Sequence, residues 1–221
     1  MTFFDSVTSL RIENLSLWIE IIAAIVGSIY FYKYKETYLK YFLIFLWYIA
    51  FNELLGRYLA EILGEYNLII FNLYLLINFP FLFSIYRHFI NNKLHRRIIF
   101  YFIYSYILIF IFNGIFFEDY EIELVTYPFI IGSSFLIISV IFYFIEVLNS
   151  EKILNITRNL LFWISVGVLL FNIGIIPWII TLEYFAESID TVNVLSRALI
   201  IILNICYIIG FIWSHKMKES E

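Results

Sequence analysis

Cysteine is nearly missing from this sequence. Cys206 is the single one in 221 residues, so no internal disulfide can form. Inside an apolar run it behaves as a small hydrophobe. Proline occurs three times, at Pro80, Pro128 and Pro177, and glycine eight times, which leaves no flexible linker. Only 14% of the residues are charged, against about 25% in soluble domains. The long apolar runs contain no aspartate, which excludes an intramembrane aspartyl dyad. The last run has no lysine to form a retinal Schiff base. No His-Glu-x-x-His, Gly-rich phosphate loop or Gly-x-Ser-x-Gly occurs. His88, His95 and His215 lie in or beside basic loops, where headgroup contact is expected rather than metal binding. No catalytic residue, cofactor or metal is therefore expected. The absence of a basic stripe argues against nucleic acid as a partner.

What the chain does have is apolar length: 63% of it is hydrophobic, with mean hydropathy +0.90. Seven runs stand out: Leu15–Tyr32, Leu39–Leu63, Asn67–Tyr86, Ile98–Phe117, Leu124–Leu148, Asn159–Leu182 and Val192–Trp213. A bilayer-spanning helix needs about 20 such residues. The expected fold is all-α, a polytopic bundle of seven transmembrane helices in a single domain over residues 1–221. Little room is expected for a soluble domain at either end. Asp5, Arg11 and Glu13 precede the first run, and Lys33 and Lys35 follow it. A signal peptide has the opposite polarity, so a retained helix is expected.

The connecting segments alternate in charge. Lys33, Lys35, Lys40, Arg87, Lys93, Arg96, Arg97, Lys152, Arg158, Lys216 and Lys218 fall on one side, eleven of the fourteen basic residues. Glu61, Glu65, Glu118, Asp119, Glu121, Glu123, Glu183, Glu187 and Asp190 fall on the other. Basic loops stay in the cytoplasm, which predicts the N-terminus outside and the C-terminus inside. Trp18 and Trp178 fall near the outer boundary, and Trp163 and Trp213 near the inner one, as interfacial aromatic belts require.

Ionisable groups within spans are costly and mark functional sites. Four qualify: Glu20, Glu53, Arg57 and Arg197. At 1.5 Å per residue, Glu20 and Arg197 each lie roughly 8 Å from the outer ends of their runs, and Glu53 and Arg57 are also in the outer half. Glu53 and Arg57 are spaced to pair along one helix, leaving Glu20 and Arg197 as a second pair. Asn52, Asn72, Asn113 and Asn172 occupy nearby levels, while Asn78 and Asn204 lie roughly 17 Å in, near the midplane. Glu20, Ala24 and Gly27 share a face whose small residues favour close packing, which turns Glu20 inward. One reading is an outward-opening polar cavity that binds a small solute. The others are a closed ion-pair network, or arginines that extend to the interface to meet Glu61 and Glu187. A carboxylate enzyme using Glu20 and Glu53 is a further, formal option.

Asn67-x10-Asn78 matches Asn193-x10-Asn204, and Phe51-Asn52 matches Phe171-Asn172. Together these suggest a 3+1+3 parallel repeat. The arrangement resembles that of SWEET-type sugar transporters, and this resemblance implies a midplane solute site at Asn78 and Asn204. The likeness is one of topology, since no Pro-Gln pair occurs and the first two runs lack proline. In sequence, Lys35–Tyr48 with Asn52-Glu53 following, and Leu161–Gly167, look like uncharacterised small seven-helix proteins of bacterial inner membranes. That resemblance implies no activity. Three functions remain open. One is a non-enzymatic small-solute binding or sensory module, signalling through a membrane partner or one docked on Asn91–Arg97. The second is a small-solute transporter, and the third a structural subunit of a membrane complex.

Overall fold

The structure, a computed structural model, describes residues 3–63, 68–121, 124–185 and 189–216, with side chains for 14–62, 68–121, 124–150, 155–181 and 194–216. Glu65, Asn67, Glu123, Glu187 and Lys218 lie outside the described residues, as do the side chains of Asp5, Arg11, Glu13, Lys152, Glu183, Asp190 and Asn193.

Among the described residues the chain forms seven α-helices: α1 Phe3–Ile29, α2 Lys40–Leu63, α3 Leu68–Phe89, α4 Lys93–Phe116, α5 Tyr127–Leu148, α6 Leu160–Phe185 and α7 Ile189–Trp213. Six of them, α2 to α7, are long and apolar enough to cross a membrane. In α1 the corresponding stretch, Asn14–Ile29, is shorter. In lipid every backbone polar group must be satisfied internally, so a spanning segment with these runs becomes helix. Burial is inverted relative to a water-soluble protein. Ile44, Leu108 and Phe117 are about two-thirds exposed, whereas Asn72, Ser133 and Ser165 are fully buried. The chain is a multi-pass membrane protein.

Two helix starts differ from the apolar runs, each for a local reason. The fourth helix begins at Lys93, not Ile98, because Asn92 caps it: Oδ1 accepts from the Leu94 and His95 N–H groups. Its charged first turn conceals the helix from a hydropathy pattern. The first helix reaches back to Phe3 through polar residues and ends at Ile29, where a 3-10 turn, Phe31–Lys33, takes over.

The helices gather into two compact units. The first lies within Met1–Ala50 and Asn155–Glu221. Here α7 packs against both α1 and α6. Glycines let the backbones approach. A Cβ on Gly167 would lie 2.9 Å from Cys206 Cβ and 3.1 Å from the Leu203 carbonyl, and one on Gly27 would lie 3.1 Å from the Phe211 ring. The start of α2 joins through Phe42, whose ring meets Tyr207 edge-on. One end of this unit is basic and tied to the last turn of α7. Lys33 Nζ donates to the carbonyls of Phe211, Ile212 and Ser214 at 2.9–3.0 Å. Arg158 donates to the Trp213 carbonyl at 3.4 Å and lies over its ring. Cations placed at a helix C-terminus complement its dipole and unpaired carbonyls.

The second unit is Phe51–Leu154, in which α3, α4 and α5 pack on one another. Phe79, Tyr106 and Phe129 form its aromatic centre, and the Tyr106 hydroxyl donates to the Leu75 carbonyl at 3.1 Å. At one end the α4–α5 connection is clasped. Asn72 Nδ2 donates to the Tyr120 carbonyl, and Asn72 Oδ1 accepts from the Val125 N–H, both at 3.1 Å. Glu118 accepts from the Thr126 and Tyr127 N–H groups where α5 starts, and from Asn113 Nδ2. At the opposite end Glu146 accepts from the backbone and side chain of Asn91 and the backbone of Asn92, fixing the α3–α4 turn.

Candidate functional site

In the first unit, buried polar groups line α7 and the two helices packed on it, α1 and α6. Level can be read from the packing contacts. Gly27 on α1 abuts Phe211 on α7. Seven residues back along each of these adjacent helices stand Glu20 and Asn204, about 10 Å further along the axis and on the same faces. Both are buried, Glu20 at 8% exposed and Asn204 at 4%. On α6, Gly167 meets Leu203 and Cys206, and Gly174 meets Leu199. Asn172 stands between them in sequence, but five residues on from Gly167 it is turned about 140° round α6 from the glycine face that meets α7; it is buried there. Ser16, one turn before Glu20 on the same face of α1, is 1% exposed and completes the layer.

The hydrogen bonds define the layer's chemistry. Asn172 Nδ2 donates to the Val168 carbonyl at 2.7 Å, and Asn204 Nδ2 to the Ile200 carbonyl at 2.9 Å. Each amide spends a donor on its own helix, which turns its oxygen away from that carbonyl. On the α1–α7 side, the Glu20 carboxylate and the Asn204 amide oxygen make the layer rich in acceptors. Its flanks are apolar: Ala23 and Ala24 on α1 and Tyr207 on α7 are buried.

The ten polar residues singled out by sequence divide between the units. Glu20, Asn172, Arg197 and Asn204 belong to the first, and Asn52, Glu53, Arg57, Asn72, Asn78 and Asn113 to the second. Glu20, expected in the outer half from its run, falls at the level of Asn204. The helix itself extends back beyond Leu15 to Phe3. Arg197 lies seven residues before Asn204, about 10 Å along α7, and is half-buried. Glu53 and Arg57 pair as their spacing predicts, with Arg57 Nε and Nη2 each 3.1 Å from Glu53 Oε1. Asn72 and Asn113, both read as lining a cavity, hold the α4–α5 connection. Asn52 and Asn78 are half-buried on α2 and α3.

His95, expected at the headgroups, stacks on Phe142 of α5, with ring centroids 4.1 Å apart and planes 3° from parallel. The capped helix start rotates this residue towards α5. Among the described residues no group of three His, Cys, Asp or Glu side chains comes together as a metal site would. Ser16 escaped the sequence reading because a serine in a helix is common. Its one signal is the four-residue step to Glu20.

Comparison with known proteins returns no match: no family model, no curated protein and no solved structure is similar to the chain.

Proposed function

We propose that this membrane protein is a non-enzymatic binding or sensory module. Its polar layer of Ser16, Glu20 and Asn204 takes a small cationic or donor-bearing solute, such as an amine or a monovalent cation. One observation carries the reading: a buried carboxylate at the level of a buried amide on the packed neighbouring helix, inside an otherwise apolar seam. A carboxylate held out of water favours positive or donating groups around it. A cationic or donor-bearing solute complements the acceptors of this layer. The charge alternation supports an outside N-terminus, an inside C-terminus and an inner-membrane location.

Thermal unfolding of the full chain in neutral detergent, against a panel of amines and alkali cations, tests the reading. A ligand at 100 times its Kd stabilises by about 2.7 kcal/mol. The expected result is stabilisation of the native chain by at least one of these solutes, abolished in Glu20→Gln and weakened in Asn204→Leu. A panel that leaves the native chain and Glu20→Gln indistinguishable overturns it.

A solute carrier is the second reading. It is favoured by Pro80 and Pro177, which lie inside α3 and α6 close to Asn78 and Asn172. Prolines within apolar segments are a pointer to transporter sites. The 3+1+3 repeat that would accompany it rests on asparagine spacing, and the two compact units do not coincide with helices 1–3 and 5–7. Uptake into proteoliposomes that survives replacement of both Asn78 and Asn204 by alanine would dispose of the carrier.

A further inference from the structure

The basic end of the second unit holds a groove of about 450 Å³ lined by Arg87, Lys93, Arg96, Arg97, Phe100 and Tyr101. Five of these residues recur at i, i+3, i+4, i+7 and i+8 along α4 and so share a face. Arg87 comes from the last turn of α3, its guanidinium 4.9 Å from the Phe100 ring centre.

The arrangement is unfavourable on its own. Lys93, Arg96 and Arg97 repel one another at helical spacing. They also crowd the first turn of α4, where the helix dipole already presents positive charge. No acid relieves them among the described residues. Glu146, the carboxylate that α5 brings to this turn, is occupied by Asn91 and Asn92. Four cations without a counter-charge around a groove call for an anion.

The same face shows what kind of anion. Past the cations come Phe100 and Tyr101, then Tyr104, whose ring packs 4.6 Å from that of Phe100, and then Leu108. Tyr101, Tyr104 and Leu108 are all more than half exposed. Over 15 residues, about 22 Å, one stripe passes from cationic to aromatic to aliphatic. That is the polarity sequence of a phospholipid: phosphate, glycerol ester, acyl chain. A free phosphate would use only the first turn. We propose that this groove is a binding site for an anionic phospholipid, with its phosphate among Arg87, Lys93, Arg96 and Arg97 and its acyl chain along Tyr104 and Leu108. Basic pockets at helix ends recognise such headgroups.

The full chain, purified in neutral detergent, is titrated with phosphatidylglycerol, with phosphatidylcholine and separately with inorganic phosphate, and retained lipid is read by native mass spectrometry. Phosphatidylglycerol is expected to be retained over phosphatidylcholine. Arg96→Gln and Arg97→Gln should each weaken the preference about fivefold, in line with the interfacial value of a single basic residue. Tyr104→Ala should weaken both lipids alike. Raising the salt concentration on the native chain must erode the preference as well, an arm that needs no variant. Equal retention of the two lipids overturns the site. Displacement of the lipid by millimolar inorganic phosphate assigns the cations to free phosphate and overturns the lipid.

Discussion

Lys33 reaches from the turn after α1 to the Phe211 carbonyl at 3.0 Å, and the same ammonium also holds the carbonyls of Ile212 and Ser214. One side chain thereby closes the first packed helix of the chain onto the last. Lys33→Met should cost about 1–3 kcal/mol, the range for hydrogen bonds to a charged group. Arginine at the same position should recover part of the loss. Chemical unfolding in detergent measures both. An unchanged midpoint for Lys33→Met would show the contact to be idle.

At the clasped end of the second unit, Glu118 receives the first N–H groups of α5. A negative charge there complements the helix dipole, worth up to ~2 kcal/mol when partly buried. Glu118→Gln should lose about 1 kcal/mol, and Glu118→Ala more, because buried donors would then be left unpaired. Hydrogen exchange is expected to speed up at Thr126 and Tyr127 before it does elsewhere in α5.

Tyr120 supplies a pH signature. Its hydroxyl donates to the Phe110 carbonyl and accepts from Asn113 Nδ2. Burial holds this phenol above the ordinary tyrosine value of 10.0. Above pH 10 the folded chain therefore keeps a proton that the unfolded chain releases, and stability falls as the pH rises through the folded value. The advantage of the native chain over Tyr120→Phe should be full below pH 10 and shrink above it. Thermal unfolding of the pair at pH 8 and pH 11 checks the sign, and a widening gap at pH 11 contradicts it.

Two glycines of α6 make opposite demands. A Cβ at Gly167 meets backbone and Cβ atoms of α7, which cannot yield, whereas one at Gly174 meets the flexible end of Leu199. Gly167→Ala should destabilise by about 1–3 kcal/mol, the usual cost of overpacking, and Gly174→Ala by less than about 1 kcal/mol. Melting temperatures of the two variants side by side decide it.

The helices were legible because a run of about 20 apolar residues has one stable form in lipid. The Glu53–Arg57 pair was legible because its geometry is set within a single helix. Lys33, Asn72 and Glu118 were not. Their partners are 178, 48 and 8 residues away in sequence, and no periodicity encodes such distances. Glu118 looked like any acid on the outer side, and Asn72 like a site asparagine. The start of α4 was half legible, since Asn92 before Lys93 is a capping signal that the hydropathy pattern overrode.

The division into units also orders events during synthesis. Residues 51–154 form one contiguous block, whereas the first unit waits for residues 155–221 to rejoin residues 1–50. α3, α4 and α5 can find one another soon after they leave the ribosome. α1 emerges first and stays without α6 and α7 until last, and contacts this distant along the chain form slowly. Throughout that interval Glu20 stands without Asn204, the α7 residue at its level.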